Sequence, residues 1–280
     1  RAVIAGLAYG EGGQVQSSMG IAAGDLNDDG AIDLFVTNFS REYYAMYLQT
    51  SNGAFRDAIR RSGIAGDTLP VLGFGTQTID GELDGRLDLI VANGHVQDER
   101  KYTGDDYRMP PQYFRNLGRG KFELVPGHSI GSYFEGEHLG RGLARIDFDG
   151  DRKEDFCVSH LHSPAALLLN RTETAGKCLV IRLVGARSNR EAIGATVTVD
   201  AGGRAIVRHL TAGDGYQASN QRILVFGLSE SSRVDLITIR WPSGRIQEWT
   251  ETAADSDLIF VENRNAPLHS TATRSKTGVR

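Results

Sequence analysis

The chain has 280 residues, 40% of them hydrophobic and 24% charged, with a formal net charge of −4. That length has room for two domains and an ample core, and the composition is ordinary for a globular protein. The near-neutral balance excludes strong steering toward nucleic acid or an anionic membrane surface, and no run of about 18 apolar residues predicts a helical membrane span.

The chain starts at Arg1 without a basic-then-apolar leader, and a leader is expected further upstream. The first informative element is the acidic loop 25–33. Oxygen-bearing side chains fall at its positions 1, 3, 5 and 9, as Asp25, Asn27, Asp29 and Asp33, and the Ala31 carbonyl stands at position 7. That alternation lets one tight turn aim several hard oxygens at a single point, as Ca2+ requires. An EF-hand would place a bidentate Glu at position 12 and then a helix. Here position 12 is Val36, inside a short β-branched and aromatic run that predicts a strand. A hairpin follows, from Tyr47 through the Asn52-Gly53 turn to Phe55.

The pattern then recurs. The second loop, 80–88, carries Asp80, Glu82, Asp84 and Asp88 with the Arg86 carbonyl at position 7, and Val91 sits in the strand after it. The connection from Val96 to Pro111 follows. Its Lys101, Tyr102, Tyr107 and Arg108, with Arg41, Tyr43 and Tyr44 earlier, are candidates for a ligand-facing rim. A second hairpin runs from Tyr113 through Asn116, Gly118 and Gly120 to Phe122. The third loop, 147–155, presents Asp147, Asp149, Asp151 and Asp155 with the Lys153 carbonyl, ahead of a strand containing Val158. This loop has Arg152 where the others have Gly30 and Gly85, at a position expected to be left-handed. Gly150, two residues earlier, does not replace that glycine.

Eleven of the 35 acidic residues stand at the ligand positions of these loops, and three divalent ions would move the formal charge from −4 to +2. Clustered carboxylates repel strongly unless a cation neutralises them. Ca2+ is preferred over Mg2+ because every ligand is a protein oxygen in a flexible turn; two sites are expected, and a third at the departing loop. His160 and His162, two apart on a strand with His95 and Asp147 nearby as companions, offer an alternative: an exported metal-dependent hydrolase that uses these residues or a site in blades missing from this chain. No third ligand at a telling spacing accompanies them, so polar residues on an exposed face are favoured.

Self-similar β-units of this size suggest propeller blades or a β-solenoid. Residues 1–170 hold two complete units and part of a third, too few to close a ring of about 4–8 blades. They are therefore expected to be the last blades of a longer propeller. From about residue 171 the acidic loops give way to alternating strands, near 177–184, 195–199, 205–210, 222–226, 234–241, 246–249 and 258–261, which predict a small β-sandwich or barrel over 171–264. Residues 265–280 read as a disordered tail. Cys157 and Cys178 read as two buried small hydrophobes, and the sequons at Asn38 and Asn170 carry no weight.

With these residues in view, the chain resembles the cartilage acidic protein 1-like family, which couples FG-GAP or VCBS-type repeats to an ASPIC/UnbV domain. In the repeats the likeness rests on the three loops, on the runs at 18–20 and 73–75, and on Asn93, Gly94 and His95. Beyond them it rests on Gly185, Ser188, Asn189 and Arg190, the run 192–195, Gly213 to Tyr216, Phe226 to Leu228, Trp241 to Gly244, and Glu262. The resemblance implies an integrin-α-like propeller with calcium in its blade loops. It also implies a secreted, periplasmic or cell-surface protein that binds a protein or glycan at its rim. No catalytic residue, nucleic-acid partner or membrane insertion is expected.

Overall fold

The computed structural model describes residues 1–270. The described residues are all-β, with five sheets and helical segments no longer than a single turn, such as Arg100–Thr103. The first sheet holds β1 (Ile21–Gly24), β2 (Asp33–Val36), β3 (Ala45–Gln49) and β4 (Phe55–Asp57). The second holds β5 (Gly73–Ile79), β6 (Asp88–Asn93), β7 (Gln112–Gly118) and β8 (Lys121–Leu124). The third holds β9 (Gly140–Ile146), β10 (Asp155–His160) and β11 (Ala166–Leu168). In all three sheets each strand is antiparallel to the next, so each acidic loop is the hairpin connection between its sheet's first two strands.

These sheets stack through their faces. In β6, Leu89 and Val91 point into a core shared with Phe35, Met46 and Phe74, while Ile90 and Ala92 point the other way toward Leu143, Phe156 and Val158. A strand buried on both sides reads as a continuous apolar run, which is how 88–93 is written. β5 lies between β1 and β9 and is buried along its length. Tyr44, a rim candidate in the sequence, is instead core: it is fully buried and its hydroxyl donates to Asn93 Oδ1 at 2.8 Å. Its neighbours on β3, Ala45 and Met46, are buried with it, so alternation along 43–47 is lost and the inward tyrosine is not legible.

The remaining strands are β12 (Lys177–Val184), β13 (Thr196–Ala201), β14 (Arg204–His209), β15 (Leu224–Ser229), β16 (Arg233–Arg240), β17 (Ile246–Ala253), β18 (Ser256–Val261) and β19 (Leu268–His269). They form two sheets, ordered β15-β12-β18-β19 and β14-β13-β16-β17, with one parallel pair, β12 and β18. Leu179, Ile181, Phe226 and Phe260 of the first sheet meet Val197, Val199, Ile237 and Ile239 of the second in one core, with Trp241 buried at its end. β19 falls inside the stretch expected to be a disordered tail, where Leu268 and His269 pair with Ile259 and Leu258. The rest of that expectation, 271–280, lies outside the described residues.

Cys178 is buried on β12, but Cys157 is exposed and both are free thiols. The outward turn of Cys157 follows from β10, where Phe156 and Val158 face the core and the residue between them cannot.

Glu262, just past β18, ties this unit together. Its Oε2 accepts the amides of Ala186, Arg187 and Ser188 at 2.6–2.8 Å, and its Oε1 accepts the hydroxyls of Ser188 and Ser243. Burial acts to raise this carboxyl, but the Ser188 amide, the Ser243 hydroxyl and the other two amides outweigh it and hold Glu262 at about 2.

Candidate functional site

The three acidic loops repeat one hydrogen-bonding scheme. In the first two loops both position-1 oxygens are held by amides of the turn: Asp25 accepts from Asp29 and Gly30 at 3.1 and 2.9 Å, and Asp80 accepts from Asp84 and Gly85 at 2.8 and 2.9 Å. In the third loop Asp147 Oδ2 accepts from the Arg152 amide at 3.2 Å. At position 5 the carboxylate accepts the position-7 amide: Asp29 from Ala31, Asp84 from Arg86 and Asp151 from Lys153, at 2.8–2.9 Å.

The position-9 aspartates act as clamps. One oxygen takes an amide of the loop and the other takes an amide beyond the sheet's third strand or near its end. Asp33 joins Leu26 to Gln49, Asp88 joins Gly81 to Asn116, and Asp155 joins Phe148 to Asn170. All three aspartates are buried. Their position at the mouth of a strand was legible; their second partner, on another strand, was not.

Each loop also places two residues in the left-handed region. Position 4 is Asp28, Leu83 or Gly150, and position 6 is Gly30, Gly85 or Arg152, with φ of 82°, 88° and 74° at the latter. Arg152 therefore adopts the conformation its glycine counterparts adopt, and its Nε donates to both oxygens of Asp257 at 3.1 Å. That charged contact offsets a backbone cost of about 1–2 kcal/mol.

What differs between the loops is the company of their carboxylates. In the first, one oxygen each from Asp25, Asp29 and Asp33 lies within 4.8 Å of the others. Ion pairs among the described residues reach Asp28 there, from Arg86 and Arg204, but none of those three. Burial raises Asp25, and it raises Asp33 from 3.8 to about 7 against the pull of the Gln49 and Leu26 amides. Asn27 stands beside them, its side-chain oxygen accepting the Asp29 amide. A hard divalent cation suits this set of carboxylates.

The third loop gathers Asp147, Asp149 and Asp151 within the same 4.8 Å. Asp147 Oδ1 is buried with no hydrogen-bond partner among the described residues, and burial lifts the Asp147 carboxyl to about 6. An orphaned carboxylate oxygen is a strong reason for a cation. Arg171 and Lys153 already pair with Asp149 and Asp151, so the third loop is partly neutralised.

The second loop gathers no such group of three carboxylates among the described residues, although Asp88 and Glu82 meet, and its acidic side chains have protein partners. Glu82 pairs with Arg115 at 2.7 Å, Asp84 with Arg86 at 2.8 Å and Asp80 with Arg208 at 3.3 Å, while Asp88 accepts the Tyr113 hydroxyl at 2.6 Å. Burial raises both Asp80 and Asp88.

The three histidines singled out in the sequence, His95, His160 and His162, do not assemble with the loops, whereas His209 lies beside Asp25 and Gly30 of the first. His160 Nε2 meets the Tyr133 hydroxyl at 2.8 Å and Nδ1 the Pro164 carbonyl at 2.7 Å, so both ring nitrogens are engaged. It ends β10, roughly 16 Å along the strand from the loop-end Asp155 at about 3.3 Å per residue. His162 lies past the strand and is exposed, and His95 sits against Phe39 near the connection 96–111. Of the rim candidates, Tyr102 is largely exposed, and Arg41 pairs with Asp105 at 3.1 Å.

The fold thus defines an all-β protein in which repeated sheets present acidic hairpin loops to a separate two-sheet unit. Residues 185–267 match the family model described as ASPIC and UnbV, so the two-sheet unit carries an ASPIC/UnbV domain. The match begins just after β12, whose Leu179, Ile181 and Leu183 share the same core. No curated protein matches the chain. Among solved structures, one similar chain is described as the structural basis of specific recognition of non-reducing terminal N-acetylglucosamine by an Agrocybe aegerita lectin. It is 14% identical with a TM-score of 0.34, and the alignment covers 80% of this chain and 54% of that one. The chain therefore spans about half of that structure, and at this TM-score the likeness defines no shared ligand.

Proposed function

We propose that the chain is the calcium-stabilised binding portion of an exported protein, its three N-terminal sheets being blades of an FG-GAP-type propeller. The adjacency of the first strands, β1, β5 and β9, supports the blade reading, since inner strands neighbour one another in a propeller. The observation that carries the calcium reading is the first loop: three converging carboxylates, two of them raised by burial, with no cationic side chain on them among the described residues. An ion there removes repulsion and locks the β1–β2 connection. The third loop is the second site. Extracellular calcium sites work at about 10^-4 to 10^-3 M, which suits an exported protein. The exposed Tyr102 region is the surface offered to a protein or glycan partner.

Thermal melting in EDTA and in millimolar CaCl2 tests this. A saturating ion is expected to add about 2.7 kcal/mol per site at roughly one hundred times Kd. The Asp25→Asn variant loses the share of the first site, and magnesium reproduces the effect only weakly. An identical melting temperature in EDTA and calcium overturns the reading.

A further inference from the structure

All three acidic loops face the C-terminal unit. Position 6 faces that unit: a Cβ on Gly30 would lie 3.5 Å from Val207, and one on Gly85 would lie 3.0 Å from both Gly227 O and Ile206. Arg152, at the same position of the third loop, reaches Asp257 on β18. The second loop is gripped most fully. Its Leu83 carbonyl accepts the Ser229 amide, its Asp84 carbonyl accepts Arg204, and Asp80 Oδ2 accepts the Gly227 amide at 3.1 Å.

At the centre of this contact stands Arg208 on β14. Its guanidinium is buried, donating from Nη2 to Asp80 Oδ2 at 3.3 Å and to the Gly85 carbonyl at 3.2 Å. Nε and Nη1 donate to the carbonyls of Val225 and Val207, so the group is anchored from its own side as well. An arginine is the residue type that withstands such burial, because it stays charged and presents several donors at once. It shares with an expected ion the position-1 carboxylate, and it takes the position-6 carbonyl, one residue before the carbonyl expected to face an ion.

We infer that Arg208 is the resident cation of the second acidic loop, so this loop is a latch between the two halves of the chain and not a metal site. The other three carboxylates agree, since Arg115, Arg86 and the Tyr113 hydroxyl occupy Glu82, Asp84 and Asp88. The inference stands on these contacts and not on the calcium reading of the first and third loops. A chain expected to hold two ion sites, and a third at the departing loop, therefore has at most two exchangeable ones, in its first and third loops, and spends the second loop's charge on joining its two halves.

The test is a double-mutant cycle on the full chain, Asp80→Asn with Arg208→Met, melted in EDTA, alongside calcium counting by equilibrium dialysis. Arg208→Met is expected to lower the melting temperature by about 10 °C by stranding a buried carboxylate, and adding Asp80→Asn recovers part of it. Asp80→Asn leaves the number of bound calcium ions unchanged. Strict additivity in EDTA overturns the latch, and so does loss of one bound ion in Asp80→Asn. If Arg208→Met yields no folded protein, recovery of folded protein in the double variant supports the latch, and equal failure of both overturns it. A wild-type count of zero ions would overturn the calcium reading alone, because the EDTA cycle does not depend on it.

Discussion

The first and second acidic loops use the same turn and part company at their side chains. In both, position 1 is held by the amides of positions 5 and 6, position 5 holds the amide of position 7, and position 9 clamps the loop to the sheet's third strand. Yet the carboxylates of the first converge without a cationic partner, and those of the second are taken up by three arginines and a tyrosine. The lesson is that the loop's backbone and its cation are separable properties. A repeat can keep the turn, because the turn holds the sheet together, while its charge is put to another use.

Substitutions can sharpen that contrast. The largest effect is expected at the latch: Arg208→Met should cost about 3–5 kcal/mol of unfolding free energy by denaturant titration, in calcium and in EDTA alike. Next comes the backbone that the loops share. Gly30→Ala and Gly85→Ala both force alanine into a left-handed conformation at a cost of about 1–2 kcal/mol. Gly85→Ala should exceed Gly30→Ala, because its new Cβ meets the Gly227 carbonyl at 3.0 Å while Gly30 has only Val207 at 3.5 Å.

A comparable effect, but one confined to calcium, is expected for Asp29→Asn, which should remove about 2–3 kcal/mol of ion-dependent stability and change little in EDTA. The corresponding Asp84→Asn should show no calcium dependence, and equal responses of the two would erase the distinction.

A further contrast lies in the pH dependence. Asp33 has a folded value of about 7, above its ordinary 3.8, so its favourable contribution is complete below 3.8 and is lost as pH rises through about 7. In EDTA the melting temperature should therefore fall between those limits, and calcium should abolish the fall by favouring the ionised carboxylate. Glu262 has the opposite sign. Its value is depressed from 4.5 to about 2, so its contribution is present above 4.5 and is lost as pH falls through about 2, with or without calcium.

Much of the architecture was legible because each strand declares itself locally. The runs after each loop, the Asn52-Gly53 hairpin and the seven C-terminal strands all carry their own periodicity and turn residues. The oxygen spacing of the loops was equally plain. What escaped was everything decided at long range. Asp28 and Leu83 adopt positive φ with no glycine to announce it. The neutralisation of the second loop depends on Arg208, 128 residues after Asp80, and on Arg115, 33 residues after Glu82. Arg152 read as a weakness of the third loop because its partner Asp257 lies 105 residues away. Periodicity carries no information about which distant charge will arrive at a turn.

The separation of Asp80 from Arg208 also has a meaning in time. During synthesis the second loop emerges 128 residues ahead of its arginine, a delay of roughly 6–25 s at about 5–20 residues per second. Through that interval β5 and β6 can pair, but the most enclosed carboxylate of the loop waits in water for its counter-charge. Burial of the Asp80–Arg208 contact therefore waits for β14, and the second loop cannot be completed by the N-terminal sheets alone.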